Sequence, residues 1–106
     1  MDREELRGWA LSNGWQEMAG HLSLARPTAP KEAIVRLVMK ATVVALEIKK
    51  PSGKWDKVAS APYAQIRPDP EGGPPSGLGM ESLPGLSMLM RDNKDRQVFA
   101  GLATPR

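Results

Sequence analysis

The 106-residue chain contains no cysteine, a single histidine, and only three tryptophans, one tyrosine and one phenylalanine. Without cysteine, disulfides, thiolate metal centres and cysteine nucleophiles are all excluded. One imidazole with scattered carboxylates matches no usual zinc spacing, so neither a metal nor another cofactor is expected. The serines sit in no G-x-S-x-G elbow and the glycines in no G-x-x-x-x-G-K-S/T loop, which removes the common nucleophile and phosphate-cradle motifs. No apolar run approaches the roughly 18 residues that span a bilayer. The start, MDREELRGW, is charged and unlike a signal peptide, so a soluble, cytoplasmic protein with no membrane partner is expected.

What is present is organised around residues 34–66, which hold the longest apolar run and the clearest turn. Lys50-Pro51-Ser52-Gly53 fits a type I turn, with Pro presetting φ at the second position and Gly closing it. Before the turn, Thr42, Val44, Leu46 and Ile48 alternate with a second set that becomes charged at Glu47 and Lys49, the pattern of a half-buried strand with Leu46 and Ile48 in the core. After it, Trp55, Lys57, Ala59, Ala61 and Tyr63 form one face of a weaker strand, and Pro62 marks a sheet edge or a bulge.

Upstream of Ala41 the apolar phase changes from odd to even positions. No Gly or Pro intervenes between Ala33 and Lys50, so two readings compete: one long strand with a bulge near Lys40, or a short helix from Pro30 leading into the strand. The β-branched Ile34, Val35 and Val38 favour the long bulged strand.

The N-terminus predicts a helix over residues 2–13. Asp2 and Glu5 form a capping box, Leu6, Trp9 and Ala10 make an apolar stripe, and Asn13-Gly14 ends it. Residues 15–24 alternate as a first strand interrupted by Gly20, and the two prolines in residues 26–30 predict a loop. Four prolines and four glycines in residues 68–79 predict a linker or long surface loop. For residues 86–102, helix and hairpin compete. Leu86, Leu89 and Met90 at helical spacing favour helix, whereas 92–95 is a turn-forming stretch. Met80, Met88 and Met90 read as gap-filling core residues rather than as an adaptable binding face.

The fold expected is therefore α+β: an N-terminal helix, an antiparallel three-stranded sheet built on the long central hairpin, and a C-terminal helix. Residues 1–67 form the core domain, 68–79 the loop or linker, and 80–106 a segment packing on the same domain.

A net charge of +3 is basic without being extreme. Lys49, Lys50, Lys54 and Lys57 gather around the hairpin turn with Trp55 among them, a mixture of cation and aromatic surface on which single strands can stack. The alternative is an edge hairpin guarded by lysines, with Trp55 in the core. His21 is the one side chain from which a general base could be built, with Glu17 or Asp56 as its carboxylate. The order helix, three strands, helix, with a histidine following the first helix in the stretch from Asn13-Gly14-Trp15 to Gly20-His21, is similar to the layout of double-stranded-RNA-binding-like domains and of the small ribonuclease toxins built on that fold. Two functional expectations follow. The first is a non-enzymatic protein-interaction module with a protein partner. The second is a nucleic-acid-binding domain using the basic turn, with a His21-dependent ribonuclease as its catalytic version.

Overall fold

The computed structural model describes the backbone of residues 1–103 and the side chains of residues 1–96. It is α+β: α1 (Arg3–Ser12), five strands β1 (Gln16–Met18), β2 (His21–Arg26), β3 (Ala29–Met39), β4 (Val43–Lys49) and β5 (Trp55–Pro62), and α2 (Leu86–Ala103). The strands form one antiparallel meander in the order β1-β2-β3-β4-β5. The sheet thus has five strands where the sequence pattern suggests three, and the difference arises at two turns that carry weak sequence signals.

The first is Ala19-Gly20, which joins β1 to β2 across the Met18–His21 pair. Both residues take positive φ, 51° and 84°, as a type I′ hairpin turn requires. Residues 15–24 are therefore a hairpin and not a single strand interrupted by Gly20. Alanine at the first position hides the turn, because Asn or Gly is the usual occupant of that left-handed well.

The second turn, Ala41-Thr42, returns β3 into β4, with the Lys40 amide donating to the Val43 carbonyl at 2.9 Å. The change of apolar phase at Ala41 is this reversal, so residues 33–49 form neither a long bulged strand nor a helix followed by a strand. Neither turn residue adopts positive φ. Only the lysine turn follows its sequence signal closely: the Gly53 amide donates to the Lys50 carbonyl at 2.9 Å, and Gly53 takes φ 89°.

Residues 26–30, read as a loop, are a tight connection with Ala29 and Pro30 already in β3. Proline is tolerated there because β3 extends past β4, whose pairing begins only at Val35–Ile48.

Both helices cover one face of the sheet. Leu22, Leu24, Val35, Leu37, Val44, Leu46 and Ala61 project to that face and bury against Leu6 and Ala10 of α1 and Leu86 and Met90 of α2. Leu46 is fully buried, and Ile48 lies at the margin, half-buried. A fully buried side chain of this size contributes about 1.5–3 kcal/mol. The capping box of α1 forms as its sequence specifies, with the Glu5 amide donating to Asp2 and the Asp2 amide to Glu5. Its stop is a Schellman-type turn in which the Trp15 amide donates to the Ala10 carbonyl at 3.1 Å. Gly14, at φ 91°, is needed for a second reason as well. A Cβ there would lie 2.3 Å from the Met90 carbonyl oxygen of α2.

The Pro/Gly-rich stretch leaves the sheet through a 3-10 turn at Tyr63–Gln65 and is closed by reciprocal amide–carbonyl bonds between Arg67 and Ser76, at 3.1 and 2.9 Å. Its two ends enter the core through Ile66 and Leu78, while the Trp9 indole donates to the Gly72 carbonyl at 3.3 Å. After a second 3-10 turn at Met80–Ser82 the chain passes Gly85, at φ 75°, into α2. The helical reading of the C-terminal segment holds: residues 92–95 lie inside α2 and do not form a turn.

Along the β2–β3 pairing the register shifts on either side of the Ala25–Ala33 pair, with the extra residues in β3, while β1 pairs with β2 only as far as Ser23. There Asn93 of α2, fully buried, bonds the strand backbone: the Ala25 amide donates to Oδ1 at 3.0 Å, and Nδ2 donates to the Ala25 carbonyl at 3.1 Å and to the Leu89 carbonyl at 2.8 Å. Arg96 adds bonds to the Arg26 and Ala25 carbonyls at 2.7 and 3.2 Å.

Two stability predictions follow. Asn93→Ala leaves the Ala25 amide buried without its acceptor and should cost about 1–3 kcal/mol in urea unfolding; no measurable loss would mean that water replaces the amide at no penalty. Ala19→Asn relieves a left-handed alanine and should raise stability by roughly 0.5–1 kcal/mol. Unchanged or lowered stability would remove the type I′ assignment.

Candidate binding surface

Register decides which charged residues meet. On the sheet face turned away from the helices, Ser23, Arg36, Glu47 and Lys57 are successive cross-strand neighbours from β2 to β5. A bulge in β5 at Val58 brings Lys57 opposite Glu47 while keeping Ala59 opposite Leu46. Trp55 and Lys57 therefore do not share a face with Ala59 and Ala61, as simple alternation implies. Trp55 is not a core residue: it is half-buried on the open face, with the Arg36 guanidinium carbon 4.0 Å from its ring centroid. Arg36 also donates from Nε to Glu47 Oε1 at 2.7 Å, both side chains being largely shielded. Pairing to a carboxylate on one side and to a ring on the other fixes the guanidinium plane.

Beside this stack runs a trough of about 520 Å³, floored by Ser23 and bounded by Gln16, Lys31, Arg36 and Trp55. Lys50 and Lys54 stand exposed at the turn beyond Trp55. Lys49 is held 3.8 Å from Glu32, which also lies 3.7 Å from Arg26.

The charge distribution reinforces this geometry. Residues 26–57 contain eight lysines and arginines against three acids, a net +5, so the remainder of the chain, with seven against nine, carries −2. Apart from Lys40, at the far turn, these cations lie on the trough or towards the β4–β5 turn. Arg36, Lys31 and Arg26 were not distinguishable in the sequence as members of this group. They lie 18 or more positions before Lys54, and only the pairing across β4 brings them near it.

His21 is placed elsewhere. It pairs with Met18 at the opposite end of the sheet, three strands from Trp55 and about four residues along, which at ordinary strand spacings is roughly 20 Å. Neither candidate carboxylate serves it: Glu17 is paired with Arg7 of α1, and Asp56 is registered opposite Ile48. A small recess of about 120 Å³ collects His21, Arg3, Arg7 and Glu17. Among the described residues no three His, Asp or Glu side chains are grouped to hold a metal. No helix among them is long and apolar enough to cross a membrane.

Among the described residues the other aromatics lie in or against the core. Trp15 is fully buried, with its ring centroid 6.4 Å from that of Trp9, and Tyr63 donates its hydroxyl to the Lys40 carbonyl at 2.7 Å. Burial pushes the Tyr63 phenol above its ordinary pKa, and the nearby Arg3 guanidinium offsets part of that rise.

Searches for related proteins found no match to this chain among family models, curated proteins or solved structures.

The Arg36–Trp55 contact is measurable. A double-mutant cycle with Arg36→Met and Trp55→Ala should return a coupling of about 0.5–1 kcal/mol. Zero coupling would show that the stack does not persist in solution.

Proposed function

We propose that the protein is a non-enzymatic interaction module that binds an acidic protein partner, working in the cytoplasm, through the uncovered sheet face and the adjoining lysine turn. The observation that carries this reading is the net +5 of residues 26–57, whose Lys31 and Arg36 line a trough that neither helix covers and whose Lys50 and Lys54 stand exposed at the adjoining turn. Part of this surface is already set. Arg36 is held in one orientation by Glu47 and Trp55, so ordering it on binding costs little side-chain entropy. Lys50 and Lys54 are exposed, and they suit long-range steering of an acidic surface more than tight contact.

The second reading, binding of nucleic acid, is favoured by Trp55 standing among lysines. A stacking platform, however, uses successive aromatic rings with free faces. Here one face of Trp55 is taken by Arg36, and Trp9, Trp15 and Tyr63 are committed to the helix side of the sheet. The ribonuclease version has less support, because His21 lies away from the basic surface and its candidate carboxylates are engaged or distant.

The test is a salt titration of binding by fluorescence anisotropy, with labelled single-stranded RNA, duplex RNA and poly-glutamate as probes. RNA should bind only weakly at physiological salt. Poly-glutamate binding should fall when Lys50→Glu is combined with Lys54→Glu, with the unfolding midpoint nearly unchanged. Tight RNA binding, steeply salt-dependent and abolished by the same double reversal, would transfer the assignment to nucleic acid. RNA cleavage that stopped in His21→Ala while binding persisted would restore the ribonuclease.

A further inference from the structure

Where the helix-covered side of the sheet meets the start of α2, the apolar core does not close. Val35 and Leu86 form a buried floor, 7% and 5% exposed. Above them Ile34, Ile48, Leu83 and Leu89 stand as half-buried walls of a cleft of about 380 Å³. Four large aliphatic side chains sharing one solvent-facing cleft differ from the singly exposed apolar residues of an ordinary surface. The volume exceeds what one aliphatic side chain fills and lies in the lower part of the range for ligand sites.

The rim is charged. Arg26 and Lys49 both line the cleft, and both are held near the carboxylate of Glu32, at 3.7 and 3.8 Å. Two cations therefore share one anion, which leaves the rim net positive. These pairs are long and substantially solvated, the side chains of Arg26 and Glu32 being about half exposed, so little is lost when either cation turns to another carboxylate. The bulge that places Ile34 beside Val35 in the cleft adjoins the shift at Ala25, where Asn93 anchors α2.

We infer that this cleft is the anchoring pocket for the acidic partner, taking two or three aliphatic side chains of a peptide segment whose flanking Asp or Glu side chains pair with Arg26 and Lys49. The inference rests on the interaction-module reading and refines it. Lys50, Lys54 and the open face would attract the partner, and the cleft would select the segment that stays bound. Aliphatic burial contributes most of the affinity in such an arrangement, and the rim pairs set orientation.

The experiment is selection from a displayed random-peptide library on the full chain. The enriched peptides are then made synthetically, titrated by anisotropy and mapped by backbone amide chemical shifts. The expected result is enrichment of paired aliphatic residues flanked by Asp or Glu, with shifts concentrated at Ile34, Ile48 and residues 83–89. Arg26→Glu combined with Lys49→Glu, and separately Ile34→Trp, which fills the cleft, should each weaken binding at least tenfold. Because the shift map uses the unaltered protein, a variant that failed to fold would leave the test intact. Enriched peptides that are acidic without aliphatic preference, with shifts at residues 50–57, would overturn the cleft while leaving the module reading in place. Aliphatic peptides without acids, bound equally by the charge-reversed variant, would overturn the recognition chemistry. Failure to enrich any peptide, together with no poly-glutamate binding, would overturn both readings.

Discussion

Ala25 of β2 lies beyond the reach of β1, which pairs only as far as Ser23, and its backbone is buried. The side-chain amide of Asn93 bonds both its amide and its carbonyl, as a neighbouring peptide group would, while its remaining N–H returns to Leu89 one turn earlier in its own helix. A hydrophobic side chain at position 93 could fill the space but would leave the Ala25 amide without its acceptor and its carbonyl with Arg96 alone as a side-chain donor. The arrangement therefore specifies where α2 lies along the sheet as well as that it packs there. Gly14 supplies the complementary constraint at the other end of the contact, since only a residue without Cβ admits the Met90 carbonyl so closely.

Much of the remaining architecture depends on that placement. With α2 anchored over β2, its first turn and the preceding residues 83–85 reach across β3 and β4 but do not seal the core against Ile34 and Ile48. The cleft is the space that remains. The Pro/Gly-rich stretch belongs to the same design, because its closure at Arg67 and Ser76 lets Leu78 and Met80 enter the core just before the helix begins.

The two sheet faces have different electrostatic roles. The helix side is apolar and nearly closed. The other side contains a buffered cation, Arg36, set between a carboxylate and an indole, with freer lysines at the turn beyond. A guanidinium held in this way is a directional donor, whereas exposed lysines act at a distance and are screened by salt. In the proposed module the exposed lysines attract the acidic partner first, and the fixed guanidinium pairs with it on contact.

The sequence by itself determined the features that depend on near neighbours. These are the capping box and Gly14 stop of α1, the type I turn at Lys50-Pro51-Ser52-Gly53, the apolar face of β4 through Leu46, and the α+β class. Each is a local arrangement of a few residues whose backbone preferences agree. The strand count was not legible, because the Ala19-Gly20 and Ala41-Thr42 turns use residues with weak turn preferences, and the ladders on either side hold them in place. Membership of the binding surface was not legible either. Trp55 and Lys57 read as sharing a face with Ala59 and Ala61 until the bulge at Val58 puts them on the other, and Arg36 joins Trp55 only through pairing across β4. Asn93, which resembles a turn former in sequence, becomes the anchor of a helix because the buried backbone amide and carbonyl of Ala25, 68 residues away, bond its side chain. Such assignments were left to the tertiary structure, since the partner that satisfies a polar group or a ring is chosen by strand register and helix docking, and neither is encoded by the residues adjacent in the chain.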